Sequence, residues 1–297
     1  MSERPRIGFV GLGLMGAPMV RRLVSRGCQV AVWNLEPERY AEVKDVSVLE
    51  GPHQVREASD IVIFCVLNGD AVEECCFGPK GLAKAKAGAS LLIDCSTINP
   101  DRTLALAERL KAETGMGWVD APISGGPAAA GEGNLTIMMG GGEADIAQAT
   151  PVLADLATNL THIGALGAGQ TAKIINQAIV GVGYVLMAES LALAEAAGID
   201  AARLPQALAG GMADSTVLKR IYPQQQGRDY DPPRGYARQL DKDLINVMAF
   251  VKAHGLELPL IARAAARYHE FAHDWPMQDS AAVASLYEKS LYEKSQS

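Results

Sequence analysis

The chain has few of the residues from which a metal site or a disulfide framework is built. Its five cysteines, Cys28, Cys65, Cys75, Cys76 and Cys95, contain no C-x-x-C pair and have no histidine partners at zinc spacing. No metal is therefore expected, and the cysteines read as reduced, packed thiols. Cys65 and Cys95 close apolar runs, where a small hydrophobe suffices. Positive charge is also scarce: 27 Lys and Arg against 34 Asp and Glu give a net charge of -7, with no basic run. That balance argues against a nucleic-acid partner. The polar start, residues 1–6, lacks the apolar core of a signal peptide. The most apolar stretch is interrupted by Lys173 and Glu189, too closely spaced to leave 18 uncharged residues between them. A cytoplasmic protein with no membrane partner is the expectation.

What is present is ample material for a core, since 48% of the 297 residues are hydrophobic, enough for one or two domains. In the first half, short apolar and β-branched runs at 7–10, 30–33, 61–66, 91–94, 117–120, 135–139 and 160–163 alternate with helical stretches. Such alternation predicts an α/β domain, a doubly wound parallel sheet of the Rossmann type, over residues 1–165. The second half, 166–297, reads as all-helical. It opens with a long interdomain helix over 171–197 that is apolar on every side and so expected to be buried. Further helices are expected over 201–210, 240–254 and 259–272. A five-residue repeat, Leu286-Tyr287-Glu288-Lys289-Ser290 followed by Leu291-Tyr292-Glu293-Lys294-Ser295, is too short for a solenoid unit and reads as a helical tail.

Immediately after the first strand stands Gly11-Leu12-Gly13-Leu14-Met15-Gly16, and a helix follows. A G-x-G-x-x-G turn between strand and helix is the signature of a nicotinamide dinucleotide site. The first glycine permits the turn, the second lets the backbone approach the pyrophosphate, and the third lets helix and strand pack closely. The anion then lies at the positive end of the helix. The second strand ends in Asn34-Leu35-Glu36, where NAD enzymes usually carry an acid for the ribose 2'-hydroxyl. Asn34 would not repel a 2'-phosphate, which tilts the expectation for NAD(P) toward NADP. No arginine stands at 35 to attract one, however, although Arg39 is within reach and Glu36 could serve the ribose.

Three later segments suit a carboxylate-bearing substrate. Asp120-Ala121-Pro122-Ile123-Ser124-Gly125-Gly126 follows a strand, and its N–H groups with the Ser124 hydroxyl could hold a carboxylate; a plain glycine turn would read the same. Gly167-Ala168-Gly169 leads to Lys173, with Asn176 and Gln177 three and four residues on and so on one helix face. A lysine on an apolar helix is either a general acid or a side chain that reaches out to water. Lys242-Asp243 lies on a later helix, facing a cleft or forming an ordinary surface charge pair.

Taken in order, Gly8 to Gly16, Asp120 to Gly126, Gly167 to Gln177 and Lys242-Asp243 resemble the β-hydroxyacid dehydrogenase family over nearly the whole chain. The resemblance implies that Lys173 is the catalytic lysine and that Ser124, Gly125 and Gly126 grip the substrate carboxylate. Asn176, Gln177 and Asp243 would join the substrate site, Gln177 standing where many members carry an asparagine. Leu67, Asn68, Thr97 and Lys242 match dinucleotide-contacting positions. The expected partner is a small carboxylate-bearing aldehyde or hydroxy acid, with tartronate semialdehyde to glycerate as the reaction. 3-Hydroxyisobutyrate, glyoxylate, succinic semialdehyde and sulfolactaldehyde chemistries are the alternatives within the family. An imine reductase of the same architecture generally lacks the lysine, and a non-catalytic dinucleotide sensor need not keep it. The apolar helix suggests a homodimer or homotetramer.

Overall fold

The computed structural model describes residues 4–288, so the second copy of the tail repeat and the end of the first lie outside the described residues. The chain divides into two compact units between Lys173 and Ile174. Strands β1 (Ile7–Val10), β2 (Val30–Trp33), β3 (Ser47–Val48), β4 (Ile61–Phe64), β5 (Leu91–Asp94), β6 (Gly117–Asp120), β7 (Ile123–Ser124), β8 (Leu135–Gly140) and β9 (Ala157–Gly164) build one sheet in the first unit. Interleaved with them are helices α1 (Gly16–Ser25), α2 (Pro52–Glu57), α3 (Gly69–Phe77), α4 (Pro100–Thr114), α5 (Gly126–Glu132) and α6 (Glu143–Leu153). The order is β3-β2-β1-β4-β5-β6-β8-β7, with β9 beside β8.

From β3 to β6 all neighbours run parallel. Every residue of β1, β4 and β5 is buried, as expected of strands covered by helices on both faces. One core cluster holds Phe9, Leu23 and Ile63, and the other holds Val10, Phe64 and Leu92, so successive strand residues feed opposite layers. Each such large apolar side chain contributes roughly 1.5–3 kcal/mol by leaving water.

The expected parallel sheet is joined at one side by antiparallel pairing. β8 runs antiparallel to β6 and to β7. The stretch from β7 to β8 holds only the short helix α5, and a parallel crossover needs a dozen or more residues.

The second unit is helical, as expected. It contains most of α7 (Ala168–Ala196), then α8 (Leu204–Leu208), α9 (Thr216–Gln226), α10 (Ala237–Ala253) and α11 (Pro259–Asp274). Gly181 and Gly183 let Leu244 and Val217 press onto α7, since a Cβ at either glycine would meet those side chains within 3 Å. By length and composition α7 could cross a membrane, yet 44% of its most apolar window is buried inside the protein. It is not buried all round, contrary to expectation: Ile175, Ile179, Leu186 and Leu193 are exposed. An apolar wheel shows that a face avoids water, but the neighbouring helices of this unit cover only part of the circumference.

Candidate active site

The glycine turn lies at the carboxyl end of β1, where the strand order reverses between β1 and β4, the place at which open α/β sheets bind ligands. Gly11 has φ +102°, and a Cβ there would come within 2.3 Å of the Cys65 carbonyl. A Cβ on Gly16 would sit 1.9 Å from the Gly11 carbonyl. These two glycines are therefore demanded by the fold. Gly13 differs: nothing lies within 4 Å of where its Cβ would be. Helix α1 begins just beyond, with no side-chain cap and no acid in its first turn; Ala17 N donates to Gly13 O, and Pro18 has no N–H. The residues fit a pyrophosphate, which needs room at Gly13 and a helix start with no acid to repel it. Leu14 and Met15 complete the turn, each partly buried.

Asn34 is buried and its side chain is fully engaged. Its Oδ1 accepts from Leu12 N at 2.7 Å, and its Nδ2 donates to Glu36 O at 3.0 Å and approaches Glu36 Oε2 at 3.4 Å. Tyr40 closes the loop, its hydroxyl accepting from Asn34 N and donating to Asn34 O. Leu35 is exposed, and Arg39 pairs with Glu42. The asparagine is thus a brace between the glycine turn and the loop after β2, a role its identity alone did not reveal.

The loops after β4 and β5 stand alongside. Leu67 is exposed, while the Asn68 Oδ1 caps α3 by accepting from Ala71 N at 3.0 Å. Thr97 is partly buried between Ser96 and Ile98. Ser96 Oγ accepts from Val66 N, and Ser96 N donates to Asp94 Oδ1 at 2.9 Å. Burial pushes the Asp94 carboxyl up to about 7, with Asp120 adding to the rise and the Ser96 hydrogen bonds opposing it. The other Asp94 oxygen has no hydrogen-bond partner.

Ser124 ends β7, and Gly125 and Gly126 follow with φ of +137° and +82°. That left-handed backbone favours glycine and turns the chain into α5. Lys173 is buried, and its Nζ donates to the Ile123 carbonyl at 2.8 Å, which sets the ammonium next in sequence to the Ser124-Gly125-Gly126 turn. An ammonium and a glycine turn in this relation can hold a carboxylate and deliver a proton beside it. Two residues that sequence reasoning gave no role also converge here. Asp120 accepts from Gly167 N at 2.8 Å and from Gln170 N at 2.7 Å. Burial pushes its carboxyl up to about 6 against the lowering effect of those N–H groups. Their signal, a polar residue in an otherwise apolar strand and another on an apolar helix, was present, but the pairing spans about fifty residues.

In the second unit the candidates form a chain of contacts. Asn176 Nδ2 donates to Gln177 Oε1 at 2.7 Å, and Gln177 Nε2 donates to Asp243 Oδ2 at 2.6 Å. Lys242 Nζ lies 3.0 Å from Asp243 Oδ1 as an ion pair without hydrogen-bond alignment. Gln177 thus reaches Asp243 on α10, and the amide and charge pairs seen separately in sequence are one network.

Two family models match the chain. Residues 6–164 match the NAD binding domain of 6-phosphogluconate dehydrogenase, and residues 167–287 match a model described as NAD-binding of NADP-dependent 3-hydroxyisobutyrate dehydrogenase. The chain is 38% identical over 257 residues to 2-hydroxy-3-oxopropionate reductase of Escherichia coli, covering 86% of this chain and 87% of that one. It is 35% identical over 266 residues to 3-hydroxyisobutyrate dehydrogenase of Pseudomonas aeruginosa, covering 87% and 89%. Among solved structures, Mycobacterium tuberculosis 3-hydroxyisobutyrate dehydrogenase with L-serine superimposes with a TM-score of 0.85 at 31% identity, covering 96% of this chain and 99% of that one. With the glycine cradle, the lysine and both family models in agreement, the chain belongs to the β-hydroxyacid dehydrogenase family of NAD(P)-dependent oxidoreductases.

Proposed function

We propose that the protein reduces a small carboxylate-bearing semialdehyde to a hydroxy acid, with tartronate semialdehyde to glycerate as its reaction. The observation that carries the chemistry is the buried Lys173 ammonium bonded to the carbonyl of Ile123, the residue before the Ser124-Gly125-Gly126 turn. The similarity to the E. coli 2-hydroxy-3-oxopropionate reductase supports the choice of substrate. In this reading the N–H groups of the turn and the Ser124 hydroxyl bind the carboxylate and so orient the aldehyde. The dinucleotide supplies the hydride. Lys173 gives a proton to the oxygen as charge develops on it and stabilises that charge beforehand. A fixed donor at a developing oxyanion is worth roughly 3–4 kcal/mol. The family resemblance assigns Asn176, Gln177 and Asp243 to the substrate and Lys242 to the cofactor.

For the cofactor we infer a preference for NAD, against the lean toward NADP read from Asn34 alone. The carboxamide of Asn34 is committed to Leu12 and Glu36, the next residue is the uncharged Leu35, and the carboxylate that follows is the exposed Glu36. An acid at the end of β2 accepts from ribose hydroxyls and repels a 2'-phosphate.

The test is Lys173→Ala assayed on tartronate, succinic, methylmalonate and sulfolactaldehyde-type aldehydes with both cofactors. The variant is expected to fold, bind the dinucleotide and lose at least a hundredfold in turnover. Near-native turnover would remove the lysine from the mechanism, and a higher kcat/KM for another aldehyde in the wild type would replace the substrate.

A further inference from the structure

Helix α7 starts without the usual means of satisfying its first N–H groups. A helix beginning at Ala168 has Gly167 at its N-cap, and a glycine has no side chain with which to accept from the third helical residue. Asp120, at the end of β6, takes over both bonds of a capping box with one carboxylate. Its Oδ1 accepts from the N-cap N–H of Gly167, and its Oδ2 accepts from the N–H of Gln170, the third residue of the helix. The helix end lies so close to the strand that a Cβ on Gly169 would meet the Met138 carbonyl at 2.4 Å and the Asp120 carbonyl at 2.7 Å.

Gln170 supplies a second attachment. It is fully buried, its Nε2 donates to Ser96 O at 2.7 Å, and its Oε1 accepts from Ile98 N at 3.1 Å. The two bonds straddle Thr97, which the family resemblance assigns to the dinucleotide. Lys173 stands three residues beyond Gln170, on the same helix face, and its ammonium reaches the Ile123 carbonyl. The first turn of α7 is thereby fixed to the end of β6 by Asp120 and to the loop after β5 by Gln170. The next turn carries the lysine.

We propose that Asp120 and Gln170 are positioning residues that act through Lys173, holding its ammonium where the proton is delivered. This rests on the reading of Lys173 as the proton donor. A proton transfer tolerates little misplacement, because an ångström of displacement in a reacting group costs on the order of a hundredfold in rate. Loosening the helix start should therefore lower kcat and leave binding of aldehyde and dinucleotide nearly unchanged.

The experiment is a pair of double-mutant cycles, Asp120→Asn with Lys173→Ala and Gln170→Met with Lys173→Ala, each reading kcat, KM for the aldehyde and Kd for the reduced cofactor. Asn keeps the shape of Asp but turns one acceptor into a donor facing an N–H. Met keeps the length of Gln and cannot make either bond. Each single variant is expected to lose tenfold or more in kcat with KM and Kd within about threefold, and to lose nothing further when Lys173 is already Ala. Should Asp120→Asn not fold, the Gln170→Met cycle decides by itself. Losses that multiply with that of Lys173→Ala, a change confined to KM, or unchanged kcat in the single variants would each overturn the proposal. If instead Lys173→Ala alone keeps near-native turnover, the proton-donor reading falls first, and the positioning role falls with it.

Discussion

Replacing Gly13 by Ala should separate the folding of the glycine turn from its use. A methyl on Gly13 meets no atom within 4 Å, and the residue lies outside the left-handed region that would strain an alanine. The folded state accepts the methyl without adjustment, while the unfolded chain loses freedom. Stability should hold or rise by about 0.4–1 kcal/mol. The same methyl occupies the space before the uncapped start of α1, where a phosphate must come within hydrogen-bonding distance of the backbone. Losing one hydrogen bond to a charged group, at about 1.5–3 kcal/mol, corresponds to a dinucleotide weaker by roughly tenfold to a hundredfold or more. Calorimetric titration with NADH and NADPH measures the affinity, and thermal unfolding of the apoprotein measures the stability. Gly16→Ala is the control for the opposite case, since its Cβ would sit 1.9 Å from the Gly11 carbonyl and stability itself should fall. If Gly13→Ala binds both dinucleotides as tightly as the wild type, the phosphates do not cross this glycine and the cradle has been misassigned.

Two further outcomes follow from the carboxylates near the site. Glu36→Ala should raise the ratio of kcat/KM for NADPH to that for NADH by about fivefold, because a like charge beside a phosphate near the surface is worth on the order of 1 kcal/mol; an unchanged ratio would clear Glu36 of any part in cofactor choice. Burial raises Asp94 to about 7, well above its unfolded value. Its neutral form therefore favours the fold at low pH, and that contribution is lost as pH rises from the unfolded value to about 7. In urea unfolding at pH 5 and pH 8, Asp94→Asn should gain on the wild type with rising pH, by about 3 kcal/mol, since each tenfold fall in proton activity between pH 5 and the folded value costs about 1.4 kcal/mol. Parallel curves would show that this acid does not titrate there.

The architecture was largely legible in the sequence because buried parallel strands are short, continuous apolar runs that turn residues punctuate. Every strand of four or more residues was foreseen. β3 and β7, at two residues each, are too short to produce any periodicity. Helix α9 was not foreseen: Pro223 lies inside it and three glutamines end it, although Ser215 caps it by accepting from Leu218 N. The site was legible as a set of residue types: Gly11 and Gly16 are needed for what they are, and Lys173 does reach the carbonyl beside Ser124. The partners of those residues were not. That Asn34 braces Leu12, that Asp120 caps a helix and that Gln177 reaches Asp243 depend on strands and helices meeting across 22 to 66 positions of sequence, and a single sequence carries no record of such meetings.

The brace at Asn34 also bears on how the cofactor preference of this protein could be altered. An acid at the end of the second strand favours NAD, so exchanging the Asn34 amide for an acid would look like the direct way to strengthen the preference inferred above. Here the amide N–H that holds Glu36 would be lost in that step, and two carboxylates would be left side by side under the glycine turn. The path is blocked at position 34 and open at its neighbours Leu35 and Glu36, which are exposed and make no bond to the glycine turn itself. Selection or engineering would have to begin in the exposed loop and leave the buried amide alone.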